Sequence, residues 1–121
     1  MPSSEDPTLL LDGYSLTPSE LYQLSFGKTN IALTEEARGR VLAGRSVVDK
    51  IVASGEVVYG INTGFGLFSN VTIDNNKLRE LQENLIRSHC AGVGAPLTAS
   101  RTRMMLALRI NILAKGHSGI R

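Results

Sequence analysis

Apolar and polar positions along the chain predict four helices separated by connections rich in glycine, proline and small polar residues. Leu9-Leu10-Leu11 stands out from a polar, proline-containing start and predicts a short extended segment. Thr17-Pro18-Ser19-Glu20 combines a capping threonine, proline at the first helical position and glutamate three residues after the cap, so a short helix follows over about 18–25. Thr34-Glu35-Glu36 repeats the start signal, with acids where the helix dipole favours them. Val41, Val48 and Ile51-Val52 then recur at helical spacing up to Gly55, which predicts a helix over about 35–54. Val57-Val58-Tyr59 is a β-prone run, and Gly60-Ile61-Asn62-Thr63-Gly64-Phe65-Gly66 can only be a loop.

Asp74-Asn75-Asn76 opens a third helix on which Leu78, Leu81, Leu85 and His89 share one stripe, before Gly92 and Gly94-Ala95-Pro96 stop it. A fourth helix over about 98–115 carries Met104, Leu106, Leu108, Ile110, Ile112 and Leu113 all round its axis. Such a helix expects cover on every side, more than three other helices provide. Gly119-Ile120-Arg121 reads as the start of a further element. The fold class expected is therefore all-α, as the N-terminal part of a larger helical protein. No membrane span is expected, since Arg101, Arg103, Arg109, Asn111 and Lys115 interrupt the apolar helix.

Composition narrows the function classes. With 121 residues the chain holds one modest core, and 42% apolar content excludes a disordered tail. A net charge of +2, and basic residues without stacking aromatics between them, argue against a nucleic-acid partner. The single Cys90 cannot form an internal disulfide, and the start lacks a secretory signal, so a cytoplasmic location is expected.

Three segments could carry chemistry, each with a bland alternative. The glycines at 60, 64 and 66 could make no more than a tight connection; their spacing matches neither the dinucleotide fingerprint nor the phosphate loop. His89 on an apolar stripe is commonly a satisfied core histidine. His89, Cys90 and His117 match no zinc spacing, so no metal is expected. Ala53-Ser54-Gly55 is an ordinary way to end a helix.

The combination says more. Val58-Tyr59-Gly60-Ile61-Asn62-Thr63-Gly64-Phe65-Gly66, Leu81-Gln82-Glu83-Asn84-Leu85-Ile86-Arg87-Ser88-His89 and Leu108-Arg109-Ile110-Asn111-Ile112-Leu113-Ala114-Lys115-Gly116, with Ser118-Gly119-Ile120, occur in order. This series strongly resembles the N-terminal part of the aromatic amino acid ammonia-lyases, and Arg87-Ser88-His89 resembles their histidine-specific branch. The resemblance implies a large helical homotetramer whose complete form deaminates L-histidine to urocanate and ammonia, with a tyrosine or phenylalanine lyase or an aminomutase as the alternative. It implies Tyr59 as the base, His89 as the contact to the substrate ring, and Gly60, Asn62, Gly64 and Gly66 as the active-site loop that lets the phenol approach the substrate.

The same resemblance implies a methylidene-imidazolone electrophile made from an internal Ala-Ser-Gly. Ala53-Ser54-Gly55 has these letters but precedes the tyrosine loop, whereas the family's tripeptide follows it, so the cofactor segment is expected outside this chain. The expected organisation is N-terminal helices over about 1–56, the active-site loop over 57–73 and helices of the catalytic region over 74–121. Without the cofactor segment, the 121 residues alone are expected to be inactive, so a non-catalytic binding or assembly fragment is the reading from another class.

Overall fold

A computed structural model describes residues 5–120. Its elements are β1 (Thr8–Leu11), α1 (Pro18–Ser25), β2 (Asn30–Leu33), α2 (Glu35–Ser54), α3 (Leu78–His89) and α4 (Ala99–Leu113). Short 3-10 turns at Gly66–Phe68 and Asn75–Lys77 complete the set. The protein is mainly helical, as the periodicity predicts. Backbone contacts divide it into two compact units, 1–46 with 96–121, and 47–95, the division falling within α2.

Local signals account for the helix starts. Thr17 and Glu20 form a reciprocal cap: Glu20 N–H donates to Thr17 Oγ1 at 3.3 Å, and Thr17 N–H donates to Glu20 Oε2 at 2.8 Å. The Thr17 hydroxyl and amide hold the Glu20 carboxyl below its usual range. Thr34 Oγ1 accepts from Ala37 N–H at 3.1 Å at the head of α2, and Thr98 caps α4 through Arg101 N–H.

In the first unit, β1 and β2 pair in parallel from Thr8 with Asn30 to Leu11 with Leu33, and α1 makes the crossover between them. The unit's buried apolar side chains are Leu11, Leu24, Ala37, Ala107 and Ala114. Arg103 and Asn111, which interrupt the apolar run of α4, have structural partners. Arg103 Nη1 donates to the Ser25 carbonyl at the end of α1, at 3.0 Å, and Asn111 Oδ1 accepts from Gly13 N–H after β1, also at 3.0 Å.

Two features depart from local β propensity. Val57-Val58-Tyr59 forms no strand; Val58 begins a tight turn instead. The second strand, Asn30–Leu33, carries no alternation strong enough to announce it and exists because β1 supplies a partner. The apolar perimeter of α4 is covered on one side only: Ala107 is buried, whereas Met105, Leu106 and Ile112 are exposed.

Two glycines of α2 give opposite expected results. A Cβ on Gly44 would overlap the carbonyl oxygen of Gly116, whereas one on Gly39 meets nothing within 4 Å. Alanine gains about 1 kcal/mol in a helix over glycine, while forcing backbone apart costs about 1–3 kcal/mol. Gly39→Ala should therefore raise stability in urea unfolding and Gly44→Ala should lower it; equal shifts for both would sink the close-approach reading.

Asp12 links stability to acid. Its Oδ1 accepts from Ser15 N–H at 2.8 Å and Tyr14 N–H at 2.7 Å, and these bonds hold its pKa at about 2, below the reference 3.8. A carboxyl depressed on folding stabilises fully above its unfolded pKa, and that contribution fades as pH falls from about 4 to about 2. Asp12→Asn should flatten the urea midpoint across that window, and an unchanged slope would refute the link.

Candidate active site

The second unit holds the loop and the histidine that the sequence singles out. Every buried apolar side chain among the described residues lies in the first unit; here the buried side chains are polar, Asn62 and Thr63. Their burial follows from use. Asn62 Oδ1 accepts from Val58 N–H at 2.9 Å, and Asn62 Nδ2 donates to the Glu56 carbonyl at 2.8 Å. Thr63 Oγ1 accepts from Gly60 N–H at 3.4 Å and donates to the Gly64 carbonyl at 2.9 Å. The second limb is tied by Gly64 N–H to the Val71 carbonyl at 3.0 Å and by Ile73 N–H to the Asn62 carbonyl at 2.8 Å. Buried polar groups in a loop without an apolar core are tolerable only when paired in this way.

The glycines have structural reasons. Gly60, at φ +82°, takes the left-handed turn after Tyr59, and a Cβ on Gly64 would lie 2.6 Å from the Phe68 backbone oxygen. Gly66 opens the 3-10 turn. Tyr59 stands on this scaffold with its side chain exposed, touching the Phe65 ring edge-on at 6.2 Å between centroids. The loop therefore fixes the backbone under Tyr59 and leaves its phenol accessible.

α3 carries Leu78, Leu81 and Leu85 as its half-buried row, with exposed His89 at the end of the same row. His89 is thus at the surface of this chain. Its Nδ1 lies 2.9 Å from the Leu85 carbonyl and 3.0 Å from Ser88 Oγ, while Ser88 Oγ donates to the same carbonyl at 2.8 Å. A carbonyl can only accept, so the Leu85 contact is a hydrogen bond in the tautomer with the proton on Nδ1, which leaves Nε2 as an acceptor. Cys90 is exposed and leans on the Arg87 carbonyl.

Ala53-Ser54-Gly55 does not fit a cyclising tripeptide. Ala53 and Ser54 belong to α2, Ser54 Oγ donates to the Ile51 carbonyl at 3.0 Å and accepts from Glu56 N–H, and Gly55 turns left-handed at φ +72°. The serine hydroxyl is used to close the helix. Among the described residues no group of His, Cys, Asp and Glu is placed to hold a metal ion, and no helix is long and apolar enough to cross a membrane.

Sequence reasoning named Asn62 only as part of the loop and did not single out Thr63 or Phe65. The available signal was their placement: small polar residues between closely spaced glycines have nearby backbone groups to bond.

Comparison with known proteins gives consistent results. The aromatic amino acid lyase family profile matches residues 16–121. A histidine ammonia-lyase of Caenorhabditis elegans is 54% identical over 112 residues, which cover 93% of this chain and 16% of that enzyme. The crystal structure of histidine ammonia-lyase from Trypanosoma cruzi superposes with a TM-score of 0.87 at 56% identity, covering 94% of this chain and 22% of that one. A tyrosine aminomutase from Streptomyces globisporus superposes with a TM-score of 0.86 at 33% identity, covering 95% and 22%. The chain therefore spans about a sixth to a quarter of the proteins it matches.

Proposed function

Since this chain belongs to the aromatic amino acid lyase family, we propose that it is the N-terminal segment of a cytoplasmic, homotetrameric histidine ammonia-lyase. The complete enzyme converts L-histidine to urocanate and ammonia. The observation that carries this reading is the identity of 54–56% to histidine-specific enzymes against 33% to a tyrosine-specific one of equal structural likeness. With the fold shared by both, only sequence separates the branches.

The reaction removes a proton from the substrate's β-carbon; the C–H electron pair becomes the new double bond, and the C–N pair leaves with ammonia. No net oxidation occurs. Tyr59, exposed on a braced loop, takes the proton at its phenolate oxygen and becomes the phenol. His89 accepts the imidazole N–H of the substrate at Nε2, the nitrogen that its bond to Leu85 leaves as an acceptor. The methylidene-imidazolone supplies electrophilic activation of the amine when present. It is assigned to a segment outside these 121 residues, because Ala53-Ser54-Gly55 does not fit it, and the isolated chain is accordingly inert.

A second reading, a tyrosine-specific lyase or aminomutase, is favoured by the likeness to the aminomutase, since an acceptor Nε2 also suits a phenol hydroxyl. Assaying the complete enzyme on histidine, tyrosine and phenylalanine by absorbance of the unsaturated acid separates the two. Preferred turnover of histidine is expected; preferred turnover of tyrosine would transfer the assignment.

A further inference from the structure

We propose that Asn62 is a positioning residue for Tyr59, acting through the backbone on either side of Val57. The proposal rests on the assignment of Tyr59 as the base and adds to it the question of what holds that base in place.

The side chain of Tyr59 cannot hold itself. It is 65% exposed, and its aromatic contact is a single edge-on approach to Phe65, a soft constraint on where the hydroxyl points. Its position is therefore set by the backbone beneath it. That backbone is closed on itself by residue 62. Val58, immediately before Tyr59, donates its N–H to Asn62 Oδ1 at 2.9 Å, and its carbonyl accepts from Ile61 N–H at 3.1 Å and Asn62 N–H at 3.3 Å. Both polar groups of Val58 are thus engaged, and residue 62 takes part on each side. Asn62 Nδ2 reaches further back to the Glu56 carbonyl, and the Asn62 carbonyl accepts from Ile73 N–H. One amide side chain thereby joins the approach to the turn and the turn itself, while the residue's own carbonyl anchors the turn to the returning limb.

The chemistry requires an amide. The Val58 N–H needs an acceptor and the Glu56 carbonyl needs a donor, and asparagine offers one of each at adjacent positions on a short stem. An aspartate keeps the acceptor and loses the donor. An alanine loses both and leaves a space where a side chain only 3% exposed was packed. The unit has no buried apolar side chain among its described residues that would hold the turn instead. Proton transfer needs the base within hydrogen-bond reach of the proton, and a displacement of about 1 Å can cost about 10²-fold in rate.

The test is a double-mutant cycle in the complete enzyme with Asn62→Ala, Asn62→Asp, Tyr59→Phe and the double variants with Tyr59→Phe. Asn62→Ala should lower kcat by about 10²-fold with KM within about twofold, because it displaces the base and leaves the ring contact at His89 untouched. Asn62→Asp should fall between it and the wild type. The Val58 amide should lose its protection from hydrogen exchange in Asn62→Ala and keep part of it in Asn62→Asp. Once Tyr59 is phenylalanine there is no hydroxyl to place, so either change at Asn62 should have no further effect on kcat.

If the losses at the two positions multiply, or Val58 stays protected in Asn62→Ala, Asn62 does not act through Tyr59 and this proposal falls while the base assignment stands. If Tyr59→Phe alone changes kcat by less than about tenfold, the base assignment falls and the proposal with it. Should Asn62→Ala fail to fold, the near-isosteric Asn62→Asp carries the same cycle by itself.

Discussion

Tyr59→Phe in the complete enzyme is expected to cut kcat by several orders of magnitude while leaving the fold unchanged. The substitution removes one oxygen and keeps the ring, so the edge-on contact with Phe65 is preserved. The bonds that shape the turn all run through the backbone and through Asn62 and Thr63, and none uses the phenol oxygen. Stability should hence stay within about 0.5 kcal/mol of wild type. General-base assistance is worth about 10²–10⁴-fold, and the loss should reach at least the upper part of that range because the β-proton is weakly acidic. Steady-state kinetics with histidine, beside a urea titration of the same preparation, measure both quantities. A kcat within about tenfold of wild type would remove Tyr59 from the role of base.

His89→Leu should change what the enzyme prefers. In the tautomer whose Nδ1–H donates to the Leu85 carbonyl, Nε2 presents an acceptor at the end of an otherwise leucine-lined row. A leucine there leaves the imidazole N–H of histidine without a partner, at a cost of about 1–3 kcal/mol, or roughly 5- to 150-fold in kcat/KM. Phenylalanine, which brings no donor, should lose nothing and gain an apolar neighbour. The ratio of kcat/KM for histidine to that for phenylalanine is the quantity to follow, because damage common to both substrates cancels in it. An unchanged ratio would leave His89 with a structural role only.

The helices were legible because the signals that start and stop them are local. Thr17 with Glu20 at α1 and Thr34 at α2 each act within one turn, and the bonds in the structure are those the residue types imply. The row Leu78, Leu81, Leu85 and His89 was equally plain, since helical spacing alone places these side chains on one face. The parallel pairing of β1 with β2 was not legible. Asn30–Leu33 is four residues long, and its hydrogen bonds go to a strand on the far side of α1. The β-prone run Val57-Val58-Tyr59 stays out of any strand for the same reason, because β-prone residues form a strand only where a neighbour offers free backbone groups.

The residues of the candidate site were found by their types and their order, which is how Tyr59, the glycines and His89 came to notice. The sequence by itself determined the helical class and the approximate course of the helices, because both rest on residue types at fixed local spacing, although α3 begins at Leu78, after a 3-10 turn at Asn75–Lys77, and not at Asp74. The family followed from the order of whole segments, and Tyr59 and His89 are candidates through that likeness. Only the tertiary structure decided that the Leu85 carbonyl lies within hydrogen-bond reach of His89 Nδ1, and that Asn62 joins the Glu56 carbonyl to the Val58 amide beneath Tyr59. Hydroxyl, imidazole and amide groups can each donate or accept, and which they do is set by the partner that folding brings within about 3 Å.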